Sequence, residues 1–164
     1  MKSIYIETTI PSFATSRPSR DLILAGQQTS TMLLWEKRSS YDLYISDYVI
    51  DECSQGDPEI ARRRLKFLAG ITVIPKSEKI QALGNEYQQL LRIPERAKAD
   101  CFHLAACVVT ETDYLLTWNC KHLGIHTFVK LREYNEENGL FTPLLITPEE
   151  LLQTDQRGDK YGIF

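Results

Sequence analysis

The sequence predicts an α/β domain around a central parallel sheet of about four to five strands. Short β-rich runs alternate with longer stretches of helical pattern, the order expected of a chain that winds βα units. The short runs are apolar throughout instead of alternating, as strands covered on both faces are. A length of 164 residues suits one domain.

Taken in order, the first strand covers residues 3–7 and is apolar until Glu7, and Pro11 is expected to close the stretch after it. A helix over 22–38 leads to a strand over 43–46. Ser46 stands between that strand and a helix over 47–55, the place of an N-cap whose hydroxyl accepts from a free backbone N–H. A helix over 58–69 begins with Pro58 in its first turn, where the missing N–H costs nothing. Gly56 and Gly70 follow helical runs at points where a left-handed residue is expected. A strand over 72–75, helices over 77–91 and 95–112, and a strand over 114–118 come next. A short helical piece over 120–125, a helix over 129–137, a strand over 143–146 and a helix over 148–152 complete the set. These elements make one domain over 1–153, and the patternless residues 154–164 read as a C-terminal tail.

Composition narrows the function. At 43% hydrophobic and 25% charged residues the chain has the average make-up of a soluble globular protein. No apolar run approaches the roughly 20 residues of a membrane-spanning helix. The N-terminal apolar stretch is interrupted by Glu7 too early for a signal peptide, which leaves the cytoplasm as the expected compartment. Cys53, Cys101, Cys107 and Cys120 are irregularly spaced and read as small buried hydrophobes. A net charge of −3 gives no global attraction for a nucleic acid. Local basic groups must supply any such attraction: Arg17 and Arg20 in the loop after the first strand, Lys37 and Arg38, the Arg62–Arg64 run with Lys66, and Arg92, Arg96 and Lys98.

In an open parallel sheet, ligands lie beyond the carboxyl ends of the strands. Glu7 ends the first strand there. Asp100 lies on a helical run that is apolar nearly all round, and heads the line of Leu104, Cys107 and Val108 at i+4, i+7 and i+8. A carboxylate so placed must be paired, hydrogen-bonded or metal-bound. Glu52 falls at the edge of the face formed by Val49, Ile50 and Cys53, while Asp51 points outward. Asn119 follows the strand that ends in Thr117 and Trp118. Each has a plainer role to set against this one: solvated acid, helix-start acid, helix N-cap. Three acids and an amide at corresponding strand ends suit Mg²⁺ or Mn²⁺, which prefer oxygen ligands.

At these residues the chain resembles a known family. The segments IYIETTIPS, VIDECSQGD, KADCFHLAACVVTETDYLLTWNCKHL and LLITPEELL are similar, in order, to the PIN-domain proteins. The similarity is nearest to the VapC-like branch of bacterial toxin–antitoxin pairs. It implies a three-layer α/β/α fold and Mg²⁺- or Mn²⁺-dependent hydrolysis of RNA, with metal-activated water as the nucleophile. It also implies a cognate antitoxin. By this resemblance Glu7, Glu52 and Asp100 match three acidic metal ligands, and Asn119 a fourth position that is often acidic. Thr117 matches the small hydroxyl residue that helps hold a metal-bound water. Glutamate replaces the usual aspartate at position 7, and asparagine at 119 removes one charge.

Three other readings compete. Cys101, His103, Cys107, Cys120, His122 and His126 suggest zinc, but Cys101 and His103 do not share a helix face, and His103 reads better as a hydrogen-bonded core residue. An aspartyl-phosphate chemistry lacks its aspartate, since the first strand ends in Glu7–Thr8–Thr9. A PIN-like fold with a degraded metal site, kept to bind RNA or protein, is the non-enzymatic alternative. Finally, the run over 22–38 carries more apolar surface than one face needs, and is expected to pack on a second copy, giving a homodimer, or on the antitoxin.

Overall fold

The structure, a computed structural model, describes residues 1–119 and 125–161. Five parallel strands form one sheet: β1 (Lys2–Ile6), β2 (Tyr41–Ser46), β3 (Thr72–Ile74), β4 (Tyr114–Leu116) and β5 (Leu144–Ile146). Their spatial order is β3-β2-β1-β4-β5. The chain winds outward from β1 through β2 to β3, then returns to lay β4 on the other side of β1. The sheet therefore has its switch point between β1 and β4, where neighbouring crossovers part and leave a crevice at the carboxyl ends.

Among the described residues, eight α-helices join or follow the strands: α1 (Thr9–Thr15), α2 (Leu22–Glu36), α3 (Asp47–Cys53), α4 (Pro58–Phe67), α5 (Glu78–Leu90), α6 (Lys98–Val109), α7 (Ile125–Glu137) and α8 (Pro148–Tyr161). The α2 and α8 helices pack together, as do α5 and α6. β1 sends Ile4 and Ile6 toward Leu34 of α2, and Tyr5 to the opposite face, against His103 of α6. That period of two, with apolar residues on both faces, is why the strands read as continuous apolar runs. The core runs through both layers, from Ile4, Ile6 and Leu34 to Tyr87, Leu104 and Leu115.

Local chemistry sets several boundaries. Asp21, Asp57 and Ser77 each cap a helix through a side-chain oxygen that accepts from a backbone N–H. Thr147 and Glu150 exchange hydrogen bonds at the start of α8, a reciprocal capping box. Gly56 and Gly70 have φ of 85° and 84°, the left-handed conformation expected of them.

Four expectations need correction. Pro11 does not end a segment but sits in the first turn of α1, where its missing N–H has no helical partner to lose. Ser46 precedes α3, yet its hydroxyl bonds Tyr5 Oη at 2.6 Å instead of capping the helix. The run over 95–112 is a 3-10 turn at Glu95–Ala97 followed by α6. The last helix does not stop at Leu152 but continues to Tyr161. Asp155 in that extension accepts from Tyr41 Oη and lies 3.7 Å from Lys2 Nζ. The expected helical piece over 120–125 falls almost wholly outside the described residues.

Candidate active site: an acidic cleft at the sheet switch point

Glu7, Glu52, Asp100 and Asn119 line one cleft of about 400 Å³, together with Thr8, Thr9, Ser12, Phe13 and Arg96. Four segments far apart in sequence thus converge beyond the carboxyl ends of β1 and β4. A second, larger cleft of about 1000 Å³ opens at the other end of the sheet, near Lys2, Lys37, Tyr41, Asp113 and Asp155. It gathers no comparable carboxylate set.

Glu7 extends the β1–β4 pairing by one step, its N–H donating to the Leu116 carbonyl at 3.1 Å. Its side chain is buried, and Oε2 accepts from the Thr9 N–H at 3.0 Å, Thr9 Oγ1 at 2.5 Å and Thr117 Oγ1 at 2.8 Å. Thr117 Oγ1 in turn accepts from the Asn119 N–H at 2.9 Å, and Thr9 Oγ1 accepts from the Trp118 N–H at 2.9 Å. The two hydroxyls therefore bolt the end of β1 to the end of β4. Three donors on one oxygen satisfy a charge that burial would otherwise make very costly.

Asp100 lies in the first turn of α6, with Leu104, Cys107 and Val108 below it in the core. Asn119 Nδ2 donates to its two carboxylate oxygens at 3.2 and 3.4 Å. Glu52, near the end of α3, accepts at Oε1 from His103 Nε2 at 2.5 Å. Asp51 points elsewhere and pairs with Lys76, as its angular position predicts.

His103 is buried, with Nδ1 lying 2.8 Å from Tyr5 Oη. Burial pushes its pKa down, but the hydrogen bond and charge of Glu52, joined by Glu7 and Asp100, outweigh that and leave it raised. Both ring nitrogens are occupied, so no lone pair is left for zinc. Cys101 and Cys107 lie in the core, and burial pushes the Cys101 thiol up to about 12. They are the small buried hydrophobes the spacing suggested. Cys120 and His122, and the side chain of His126, fall outside the described residues.

Among the described residues, no three His, Cys, Asp or Glu side chains close into a tight metal-ligating group. The donor set itself is all oxygen: three carboxylates and an amide around one cleft. Thr8 adds a buried hydroxyl without a hydrogen-bond partner. That chemistry fits a hard cation that keeps several waters and takes few protein carboxylates, as Mg²⁺ does. It fits a soft or caged ion poorly.

Thr9, Phe13 and Arg96 belong to the cleft for reasons that lie in the fold. Thr9 and Phe13 ride on α1, which Pro11 hid. Arg96 was one of several basic candidates, with no pattern to single it out. Arg62 and Arg63 pair with Glu59, and Arg64 donates to the Gln55 carbonyl. Arg17 and Arg20 are exposed and do not line the cleft.

Fold and site together define the class of molecule: a single parallel α/β sheet with an acidic cleft at its switch point. No family model matches the sequence, and no curated protein does. Among solved structures, the fold is similar to a chain in the crystal structure of VapBC2 from Rickettsia felis bound to a DNA fragment from their promoter. The likeness covers 88% of this chain and 97% of that one, with a TM-score of 0.55 and 17% sequence identity. At that identity the likeness is one of fold.

Proposed function

We propose that this chain is a divalent-metal-dependent ribonuclease, and the toxin of a type II toxin–antitoxin pair. The observation that carries the reading is the convergence of Glu7, Glu52, Asp100 and Asn119 on one cleft at the β1–β4 switch point. The resemblance of the segments around these residues to PIN-domain proteins supports it. So does the likeness of the fold to a chain of a VapBC2 complex. Glu7, Glu52, Asp100 and Asn119 are the residues that would hold Mg²⁺ or Mn²⁺. Once bound, the ion supplies Lewis acidity and neutralises charge at a phosphodiester. Thr117 and Thr9 hold the Glu7 carboxylate in place, and Asn119 holds that of Asp100. Arg96 is the cation at the cleft that meets an RNA phosphate.

For partners, the face assigned is the exposed apolar side of α2, with Leu22 and Ile23 at 88% and 75% exposure. An antitoxin or a second copy would cover it. No helix among the described residues is long and apolar enough to cross a membrane.

The test is incubation of purified protein with mixed RNA in EDTA, Mg²⁺ or Mn²⁺, beside Asp100→Asn. Cleavage that requires metal and falls more than about 100-fold in the variant is expected, because loss of even an outer-shell partner of a metal ligand costs roughly 10–100-fold. Cleavage that survives the substitution sinks the assignment. RNA retention without cleavage, by folded protein free of any partner, favours the binding-module reading, which the lack of a tight ligand group among the described residues also favours.

A further inference from the structure

Behind the cleft runs a line of buried hydrogen bonds that the carboxylates alone do not require. Ser46 Oγ lies 2.6 Å from Tyr5 Oη, Tyr5 Oη 2.8 Å from His103 Nδ1, and His103 Nε2 2.5 Å from Glu52 Oε1. Its members come from β1, β2, α3 and α6. Ser46, Tyr5 and His103 are each no more than 1% exposed, and the line ends on a glutamate whose side chain is 32% exposed at the cleft. An ionised carboxylate only accepts, so His103 Nε2 carries a proton and donates to it. Tyr5 Oη bridges His103 Nδ1 and Ser46 Oγ, so every buried polar atom along the line has a hydrogen-bond partner.

The line delivers its last hydrogen bond to the one member whose side chain reaches the cleft, Glu52. A glutamate free at the rim of a cleft loses up to about 2 kcal/mol of rotamer freedom when it is fixed for a ligand. His103 removes that freedom in advance. It also stands one helical turn after Asp100, so α6 carries one cleft carboxylate and the holder of another. The hydrogen bond from His103 thus ties the Glu52 carboxylate of α3 to the helix that carries Asp100.

We propose that Ser46, Tyr5 and His103 form a buried relay that positions Glu52 for cation binding. His103 is then a positioning residue and Glu52 the ligand. This rests on the metal-site reading above.

The test measures Mn²⁺ affinity by titration calorimetry on metal-stripped protein, with thermal melts in EDTA for each variant. His103→Gln is expected to weaken binding roughly 10–100-fold, the range for partners of metal ligands. Tyr5→Phe keeps the ring and its packing and is expected to weaken binding about fivefold, corresponding to ~1 kcal/mol for one hydrogen bond. It keeps the test decisive if His103→Gln does not fold. Tyr87→Phe is the control, since Tyr87 Oη is also buried and donates to Asn135 at 2.6 Å, a pair with no link to the cleft carboxylates. It should lower the melting temperature and leave Mn²⁺ affinity unchanged. Wild-type binding with unaltered affinity in both relay variants overturns the relay alone, as does an equal loss in Tyr87→Phe. Absence of Mn²⁺ binding by the wild type overturns the metal site, and the relay's role falls with it.

Discussion

Two helices of this molecule are apolar in sequence to a similar degree and meet opposite fates. In α6, every residue from Leu104 to Val108 is buried, along with Cys101 and His103. In α2, only Thr31 and Leu34 are buried, while Leu22, Ile23, Leu24, Met32 and Leu33 stand in solvent. The difference is one of coverage. The α6 helix is covered by the sheet on one side and α5 on another, and Gly84 of α5 lets the Phe102 ring come against its backbone. The α2 helix meets the sheet, α8 and α1, and stacks Trp35 on Phe67 of α4, while the side bearing Leu22 and Ile23 is exposed among the described residues. A uniformly apolar helix therefore marks either a core or a surface awaiting cover, and composition does not separate them.

Substitutions on the two helices sharpen the contrast. The largest stability loss is expected from Leu104→Ala on α6, at about 2–5 kcal/mol for a buried leucine, read by urea unfolding. A loss below about 1 kcal/mol would mean that α6 is looser than its burial implies. Gly84→Ala should cost roughly 1–3 kcal/mol. A Cβ there lies 2.4 Å from the Phe102 ring, which is itself stacked on Tyr48 at 4.9 Å and has little room to yield. Pairing it with Phe102→Leu tests the cause, since the smaller side chain should recover part of the loss. The smallest effect belongs to Leu33→Ser on α2, expected within about 0.5 kcal/mol of wild type in dilute protein. A clear loss that grows with protein concentration would show instead that a second copy covers the helix.

Cysteine chemistry offers a further contrast between core and surface. Burial pushes the Cys53 thiol up to about 11 and Cys101 up to about 12. Both remain protonated at pH 8, and the thiolate is the reactive form. Alkylation of these two positions, followed by mass spectrometry, should therefore be slow in native protein and complete after unfolding. Rapid native labelling of Cys101 would show that α6 opens.

Much of this fold is legible in the residues. Unbroken apolar strands and helical runs place the five strands and the starts of α2 to α5 and α8, while α6 begins three residues later than its pattern suggests. The α1 helix is hidden because Pro11 reads as a stop, whereas in a first turn it is harmless. The end of α8 is hidden because residues 153–161 are almost wholly polar, and because the contacts of Asp155 with Tyr41 and Lys2 span most of the chain. At the cleft, Glu7 and Asn119 are marked by standing at strand ends and Asp100 by heading an apolar line, whereas Glu52 stands only at the edge of a helix face; the fold brings all four to one cleft. Their holders are less visible. Nothing near Glu52 in sequence points to His103, 51 residues away, nor from His103 to Tyr5, 98 residues away. Such pairings are properties of the register between β1, β2 and α6.

The β1–β4 junction has a consequence for the life of the chain before it is complete. Thr117, which holds Glu7, is synthesised 110 residues after it, and Asp100 and Asn119 also follow it. The central strand β1 thus gains its β4 neighbour only after the whole intervening stretch has been made. Before that stretch is made, a nascent chain has Glu7 and its Thr9 donors, but neither Thr117 nor the helix that bears Asp100, α6. Whatever chemistry the cleft performs therefore waits until Thr117 and Asn119 have been made and have folded back onto the first strand.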